Sequence, residues 1–147
     1  MENHNKINVV AILITFHNNE NEVLKCLYHL YKSIENSNNI ESNIYIVDDG
    51  SKNNITSIIK KRYPKVNLIQ GNGSLYWNGG MTLAWKKAIG QYNYYIWLNS
   101  DTYINKNALN SILNDYKQIN KLHCKDGIIT AACHNGYGKF TYGGRDK

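Results

Sequence analysis

Two short apolar runs, each ending in acidic residues, most constrain how this chain can fold. Residues 94–102 read YYIWLNSDT, so an apolar strand delivers Asp101 to its carboxyl end, and residues 44–51 read IYIVDDGS, where Asp48 and Asp49 come before a Gly-Ser turn. In open α/β sheets, ligands bind outside the carboxyl ends of the strands. Two acid-tipped strands in one short chain therefore predict a nucleotide site with a bound cation.

Strand-like and helix-like patterns alternate along the rest of the chain. Residues 7–15 (INVVAILIT) are apolar on both faces, as in a buried parallel strand, and a helical repeat of Val23, Leu27 and Leu30 follows. This alternation predicts an α/β fold, a mainly parallel open sheet with helices on both faces. The predicted strands are residues 7–15, 44–47, 66–70, 94–98, 128–132 and 139–142, with the later helices near 55–63, 81–89 and 106–119.

A glycine-rich loop at residues 71–80 (GNGSLYWNGG) precedes the third predicted helix. Glycines such as Gly79 and Gly80 let backbone N–H groups approach a phosphate, and the start of a helix adds a favourable field. Tyr76 and Trp77 are candidates for lining a sugar pocket, although packing is an equally ordinary use of aromatic side chains. The loop is neither a Walker loop nor a dinucleotide fingerprint.

Charge and composition narrow the choice of partners. The formal net charge of +6 suits an anionic ligand, and four basic residues lie around one helix end: Lys60, Lys61, Arg62 and Lys65. A solvated helix end favoured by the dipole is the simpler interpretation, and anionic lipid is the functional alternative. No nucleic-acid motif occurs. Without a signal peptide or a membrane span the chain is expected to be cytoplasmic, with its three cysteines reduced and mostly buried and Cys26 in the core.

Each candidate acid also has an ordinary structural interpretation. Asp48 and Asp49 can form a side-chain turn that caps the next helix, and Asp101 can cap the helix that follows it. Asn99 supplies only a neutral carboxamide oxygen, so the first acid of an Asp-x-Asp pair is missing. His17 is the histidine that follows a predicted strand and is within reach of a ligand there.

Together these segments resemble inverting family 2 glycosyltransferases, which have a nucleotide-diphospho-sugar transferase (glycosyltransferase A-type) fold. The resemblance covers roughly residues 7–145 and lies in VVAILITFHNN, IYIVDDGSKNN, GNGSLYWNGGMTLAWKKAI and YYIWLNSDTYI. Tyr76-Trp77 beside Asn-Gly-Gly, and the late KFTYGGR, resemble the rhamnosyltransferase-like subgroup.

The resemblance implies a role for individual residues. Thr15 and Asp49 are expected to contact the base or ribose, Asp48 to support that contact, and Asp101 to hold Mn²⁺ or Mg²⁺ against the donor diphosphate. Trp77 is assigned to the sugar pocket. The full predicted nucleotide-binding set is Thr15, His17, Asp48, Asp49, Gly79, Gly80 and Asn99. The catalytic base of this family is an acidic residue of the second half, which we expect beyond Lys147 in a C-terminally truncated fold.

The predicted function is transfer of a sugar from a dTDP- or UDP-linked donor to a saccharide or lipid-linked acceptor in surface polysaccharide synthesis. Residues 1–147 are predicted to form a single nucleotide-sugar-binding domain, cytoplasmic and in peripheral contact with the inner face of the plasma membrane. One alternative is a non-catalytic nucleotide-sugar-binding fragment without transferase activity. Another is a response-regulator-like or flavodoxin-like signalling domain, which predicts no binding of nucleoside diphosphates.

Overall fold

A four-stranded parallel sheet organises the larger part of the chain. The computed structural model describes residues 8–124, 126–135 and 139–142, and the chain divides into two compact units, residues 1–106 and 107–147. In the first unit the strand order is β3-β2-β1-β4. The strands are β1 (Asn8–Phe16), β2 (Ile40–Asp48), β3 (Asn67–Gln70) and β4 (Tyr94–Trp97), and the helices between them are α1 (Glu20–Glu35), α2 (Ile55–Arg62) and α3 (Tyr76–Ala88). The predicted α/β fold is confirmed, and the single functional domain stays a prediction.

The central strand β1 sets the position of its neighbours. It runs parallel to β2 from Asn8 opposite Ile40 to Phe16 opposite Asp48, and it pairs with β4 through Leu13 opposite Trp97. Seven consecutive residues of β1 are buried, as expected for a strand covered on both faces. The carboxyl ends of β1, β2 and β4 consequently lie along one edge of the sheet.

Helices cover both faces of this sheet. On one face α3 packs against β1 and β2 in a cluster of buried residues: Ala11, Leu13, Val47, Met81, Ala84 and Ala88. The alternate side chains of β1 are also fully buried, and α1 and α2 each bury an apolar stripe. Cys26 belongs to the stripe of α1, as predicted. The expectation of mostly buried thiols was wrong, because Cys124 and Cys133 are exposed.

The helix α3 begins earlier than predicted. The sequence suggested a start near Met81, because glycines disfavour a helix interior, but the helix already includes Tyr76 and Trp77. Asp49 accepts two backbone N–H groups at the start of the helix, those of Leu75 and Tyr76, and a third from Gly73 in the loop before it, which stabilises the first turn ahead of Gly79 and Gly80. Two residues of the predicted phosphate loop are thus helical glycines.

The second unit contains α4 (Ala108–His123) and an antiparallel pair of strands, β5 (Cys133–His134) and β6 (Phe140–Tyr142). The strand predicted at residues 128–132 was wrong: these residues have no regular structure, and Ile128 is 97% exposed. A β-prone run needs a partner strand, and the described residues provide none for it. Part of KFTYGGR, residues 143–145, lies outside the described residues. Among the described residues, no helix combines the length and apolar character needed to cross a bilayer.

Candidate functional site

Asp48 ends β2 and is buried at the carboxyl edge of the sheet. Its Oδ1 accepts the backbone N–H of Ser51 at 2.9 Å, which closes the side-chain turn that the sequence suggested. The turn does not cap the next helix, because α2 begins at Ile55 with Asn54 in its N-cap position. Gly50 has φ +70°, and a Cβ there would lie 2.7 Å from the Cα of Gly73, so this turn packs directly on the glycine-rich loop. Asp48 thus shapes the turn, and its support of a nucleobase contact stays a prediction.

Asp49 clamps the glycine-rich loop onto the sheet edge. Its Oδ1 accepts the N–H of Gly73 at 2.8 Å, and its Oδ2 accepts those of Leu75 at 2.9 Å and Tyr76 at 3.0 Å. The side chain is buried, and a Cβ on Gly71 would lie 2.7 Å from Oδ1, so the loop wraps closely around the carboxylate. Three of its roughly four acceptor positions are occupied by backbone donors. The contact between Asp49 and a nucleobase stays a prediction.

Thr15 and Gly80 are brought together where α3 crosses the end of β1. Thr15 is buried, and a Cβ on Gly80 would lie only 2.1 Å from the Thr15 Oγ1. Gly79 faces Leu75, whose Cβ would lie 3.1 Å from an added methyl group. These two glycines allow close approach of helix to strand, and their contact with a nucleotide stays a prediction.

His17 and Asn18 tie the turn after β1 to the turn after β2. The carbonyl of Asp49 can only accept, so the His17 Nδ1 carries the proton and donates to it, while Nε2 accepts from the Asn18 amide at 2.7 Å. The Asn18 side-chain oxygen accepts the backbone N–H of Lys52, and the backbone N–H of Asn18 donates to the Ser51 Oγ. The two turns therefore form one hydrogen-bonded edge, with the His17 ring exposed.

The side chain of Asn99 forms a hydrogen bond with Trp77. The indole N–H of Trp77 donates to the Asn99 Oδ1 at 2.8 Å, which fixes the orientation of the amide because an indole nitrogen is only a donor. Asn99 follows Trp97 by two residues, as Thr15 follows Leu13, so it extends the sheet edge from β4. Its amide nitrogen remains as a donor at the surface.

Asp101 is exposed, and its carboxylate makes no hydrogen bond to any residue that the structure describes. It lies close enough to Cys26 to affect the thiol. Burial, and secondly the charge of Asp101, raise the pKa of Cys26 to about 12. Asp101 is not a cap of α4, because that helix begins at Ala108 and Asn107 occupies its N-cap position.

The side chains at this edge can hold a cation only if a bound ligand supplies further oxygen atoms to it. Within residues 8–124, 126–135 and 139–142, no group of three or more His, Cys, Asp and Glu side chains could hold an ion. Mg²⁺ is nevertheless commonly bound through one or two carboxylates together with substrate phosphates. The free carboxylate of Asp101 fits that arrangement, with a diphosphate and water as the remaining ligands.

Sequence reasoning missed two features of this edge. One is Asn18, whose role depends on contacts with residues more than 30 positions away. The other is Trp97, which is 47% exposed at the end of β4 beside Trp77. The signal was present in the run YYIW before Leu98, but a large aromatic residue in a strand normally indicates burial.

Comparison with known proteins identifies the family. Residues 11–139 match the family model described as glycosyl transferase family 2. The match covers most of the chain, so the chain belongs to glycosyl transferase family 2. Among curated proteins, no sequence matched this chain.

Solved structures support the same fold. The chain is similar to the crystal structure of S. aureus TarS 1-349, with 23% identity and a TM-score of 0.56 over 74% of this chain and 32% of that one. TarS 1-349 in complex with UDP-GlcNAc gives 23% identity and a TM-score of 0.59, over 74% of this chain and 31% of that chain. Full TarS gives the same identity and a TM-score of 0.59, with 19% of its length covered. The chain thus spans about a third or less of these structures, and the likeness shows the fold.

Proposed function

We propose that this chain binds the nucleotide-diphospho-sugar donor of a glycosyl transfer reaction. The observation that carries the proposal is the edge at which β1, β2 and β4 end. There three neighbouring parallel strands end: Thr15 lies near the end of β1, Asp48 and Asp49 at the end of β2, and Asn99 and Asp101 just after β4. Ligands of open α/β sheets bind at such an edge. Family membership and the UDP-GlcNAc complex of TarS support the choice of ligand.

Each residue has a proposed part in holding the donor. The base and ribose lie against the turns held by Asp48 and Asp49, within reach of Thr15 and His17. The diphosphate extends toward Asp101, past the Asn99 amide, and Trp77 contacts the sugar. Asp101 would hold Mn²⁺ or Mg²⁺, and the ion would supply positive charge against the diphosphate.

The proposed reaction is an inverting displacement at the anomeric carbon. The oxygen of an acceptor hydroxyl forms the new glycosidic bond, and the bond from the anomeric carbon to the diphosphate oxygen breaks on the opposite side. The nucleoside diphosphate leaves with the bonding electron pair, and a general base removes the hydroxyl proton. None of the described residues is assigned as that base.

Thermal unfolding tests donor binding directly. The chain is melted alone and with UDP, dTDP or GDP, each with and without Mn²⁺. A ligand present at about 100 times its Kd adds roughly 2.7 kcal/mol, which is about 5–10 °C for a domain of this size. We expect a Mn²⁺-dependent rise in Tm with UDP or dTDP. The nucleotide that gives the larger rise identifies the nucleobase of the donor.

Two variants make this test specific. Asp101→Ala should remove the Mn²⁺-dependent rise, whereas Asp115→Ala, which removes an exposed carboxylate from α4, should retain it. A cooperative melt that no nucleotide shifts would contradict the proposal and favour the signalling-domain alternative. A rise that persists in Asp101→Ala would contradict the assignment of the cation to Asp101.

Turnover separates transfer from binding alone. Donor and candidate saccharide or lipid-linked acceptors are incubated with the chain, and both nucleoside diphosphate release and the glycosylated product are measured. Product formation supports the transferase. The donors include dTDP-rhamnose, which the resemblance to the rhamnosyltransferase-like subgroup suggests. Nucleotide binding without product supports the non-catalytic alternative.

A peripheral membrane contact is also proposed, at the end of α2. Lys60, Lys61, Arg62 and Lys65 are exposed there, and none forms an ion pair with another residue in the described part of the chain. Such a cluster attracts an anionic bilayer surface. Sedimentation with anionic vesicles, compared with neutral ones, tests this contact, and equal sedimentation with both would contradict it.

A further inference from the structure

The three tryptophans of the chain form one cluster at the edge of the sheet. Trp97 of β4 lies between Trp77 and Trp85 of α3, with ring centroids 5.9 Å and 6.1 Å away and the rings in edge-to-face geometry. Trp85 also packs on Tyr95 at 4.7 Å. Trp77 and Trp97 remain 49% and 47% exposed, so two large apolar side chains are directed to solvent next to the proposed donor site.

This exposed pair is held in place from several sides. The indole N–H of Trp77 is fixed by Asn99, and the ring of Trp97 is held between two other indoles. Side chains that are ordered before binding lose little rotamer entropy when a ligand arrives. Exposed apolar patches on folded proteins commonly mark binding sites.

The chemistry beside the pair matches a sugar ring. The C–H bonds on the face of a pyranose carry a small positive charge, and an aromatic face is negative, so the two attract when stacked. The Asn99 amide, whose oxygen accepts from Trp77, presents its nitrogen as a donor for a sugar or phosphate oxygen. Asp101 follows Asn99 by two residues. A pyranose ring held beside Asn99 therefore lies close to Asp101, where the diphosphate that carries the sugar is proposed to bind.

We propose that Trp77 and Trp97 form a stacking platform for the pyranose ring of the donor, in which the sugar face lies on Trp97 and its edge meets Trp77, whose ring is inclined by 62°. Trp97 then determines how much of the affinity comes from the sugar. The inference rests on the proposed function and extends its sugar contact from Trp77 to a second indole. Stacking recognises a ring face rather than particular hydroxyl groups. The platform therefore accepts several hexopyranoses and gives selectivity for a nucleotide sugar over the free nucleotide.

The test compares UDP with UDP-GlcNAc in the presence of Mn²⁺. Their Kd values are measured by calorimetry for the unmodified chain, for Trp97→Leu and for Tyr28→Leu, which removes a 55% exposed aromatic from α1 as a matched control. We expect the Kd of UDP divided by the Kd of UDP-GlcNAc to fall about five- to tenfold in Trp97→Leu, because the variant loses one aromatic stacking contact with the sugar. The Kd of UDP should stay within about twofold, and Tyr28→Leu should leave the ratio unchanged.

Tryptophan fluorescence of the unmodified chain provides a second readout that needs no variant. UDP-GlcNAc should shift the emission to shorter wavelength because it covers two half-exposed indoles, and UDP alone should not. An unchanged Kd ratio in Trp97→Leu, or the same emission with both ligands, would overturn the platform while leaving donor binding intact. Absence of binding of both UDP and dTDP to the unmodified chain would instead refute the proposed function, and if only dTDP binds, the same comparison is made between dTDP and a dTDP-hexose. An emission that depends on protein concentration would assign the pair to self-association and also overturn the platform.

Discussion

Replacing Asp49 with Asn should destabilise the chain far more than the same change at Asp48. The Asp49 carboxylate accepts three backbone N–H groups of the glycine-rich loop, whereas Asp48 accepts one from Ser51. Both side chains are buried. In Asp49→Asn the new amide nitrogen faces backbone N–H donors, and the negative charge at the start of α3 is lost. In Asp48→Asn the side-chain oxygen can still accept the N–H of Ser51.

The magnitude follows from the number of hydrogen bonds. A hydrogen bond to a charged group contributes about 1.5–3 kcal/mol, so three give about 4.5 kcal/mol at the lower limit. Gly73 and Tyr76 are exposed, and water therefore replaces part of what is lost. We expect a loss of about 3 kcal/mol in Asp49→Asn, which is about 6–12 °C in Tm at 2–4 °C per kcal/mol, and less than about 1 kcal/mol in Asp48→Asn.

Urea unfolding followed by circular dichroism, without ligand, measures both variants. The midpoint of Asp49→Asn should fall clearly below that of Asp48→Asn, with similar slopes. Equal midpoints would refute the reasoning, because they would mean that the three backbone hydrogen bonds contribute nothing beyond the one made by Asp48.

Three further predictions follow from the packing. Gly80→Ala should cost about 1–3 kcal/mol in urea unfolding because the new methyl group would overlap the Thr15 hydroxyl, and a neutral result would contradict this packing. Cys26 should resist a thiol reagent at pH 8 in the folded chain, since its pKa is about 12, while the two exposed cysteines react; three fast thiols would refute its burial. Burial, with the hydrogen bond to Tyr45, raises the pKa of Tyr92 from 10.0 to about 12. The unfolded chain releases this proton first, so stability should decline between about pH 10 and 12, and a Tyr92→Phe variant with the same decline would contradict the assignment.

Much of the sheet was predictable because its signals are local. The β-branched run around Ile12 and the helical repeat of Val23, Leu27 and Leu30 both imply burial through periodicity alone. The strand predicted at residues 128–132 failed because a strand also depends on contacts outside its own segment. A strand is stabilised by its partner, and the sequence pattern of one segment does not report whether a partner exists.

The candidate site was predictable in position but not in its contacts. The acids were located from the ends of apolar runs, and they do lie at one edge of the sheet. Asp49 bonds to residues 24–27 positions away, and Trp77 bonds to Asn99 over 22 positions. Such pairs arise from the crossing of α3 over the sheet, and no local pattern encodes them. The early start of α3 escaped prediction for the same reason.

Electron paramagnetic resonance of Mn²⁺ tests the central claim most directly, because free Mn²⁺ gives a strong signal that weakens on binding. The signal is recorded with the chain alone, with UDP or dTDP alone, and with the chain and each nucleotide together. If Asp101 and a nucleoside diphosphate share one cation, the loss with both present should exceed the sum of the separate losses, and Asp101→Ala should abolish the excess. A loss that is simply additive, or an excess that persists in Asp101→Ala, would contradict the account.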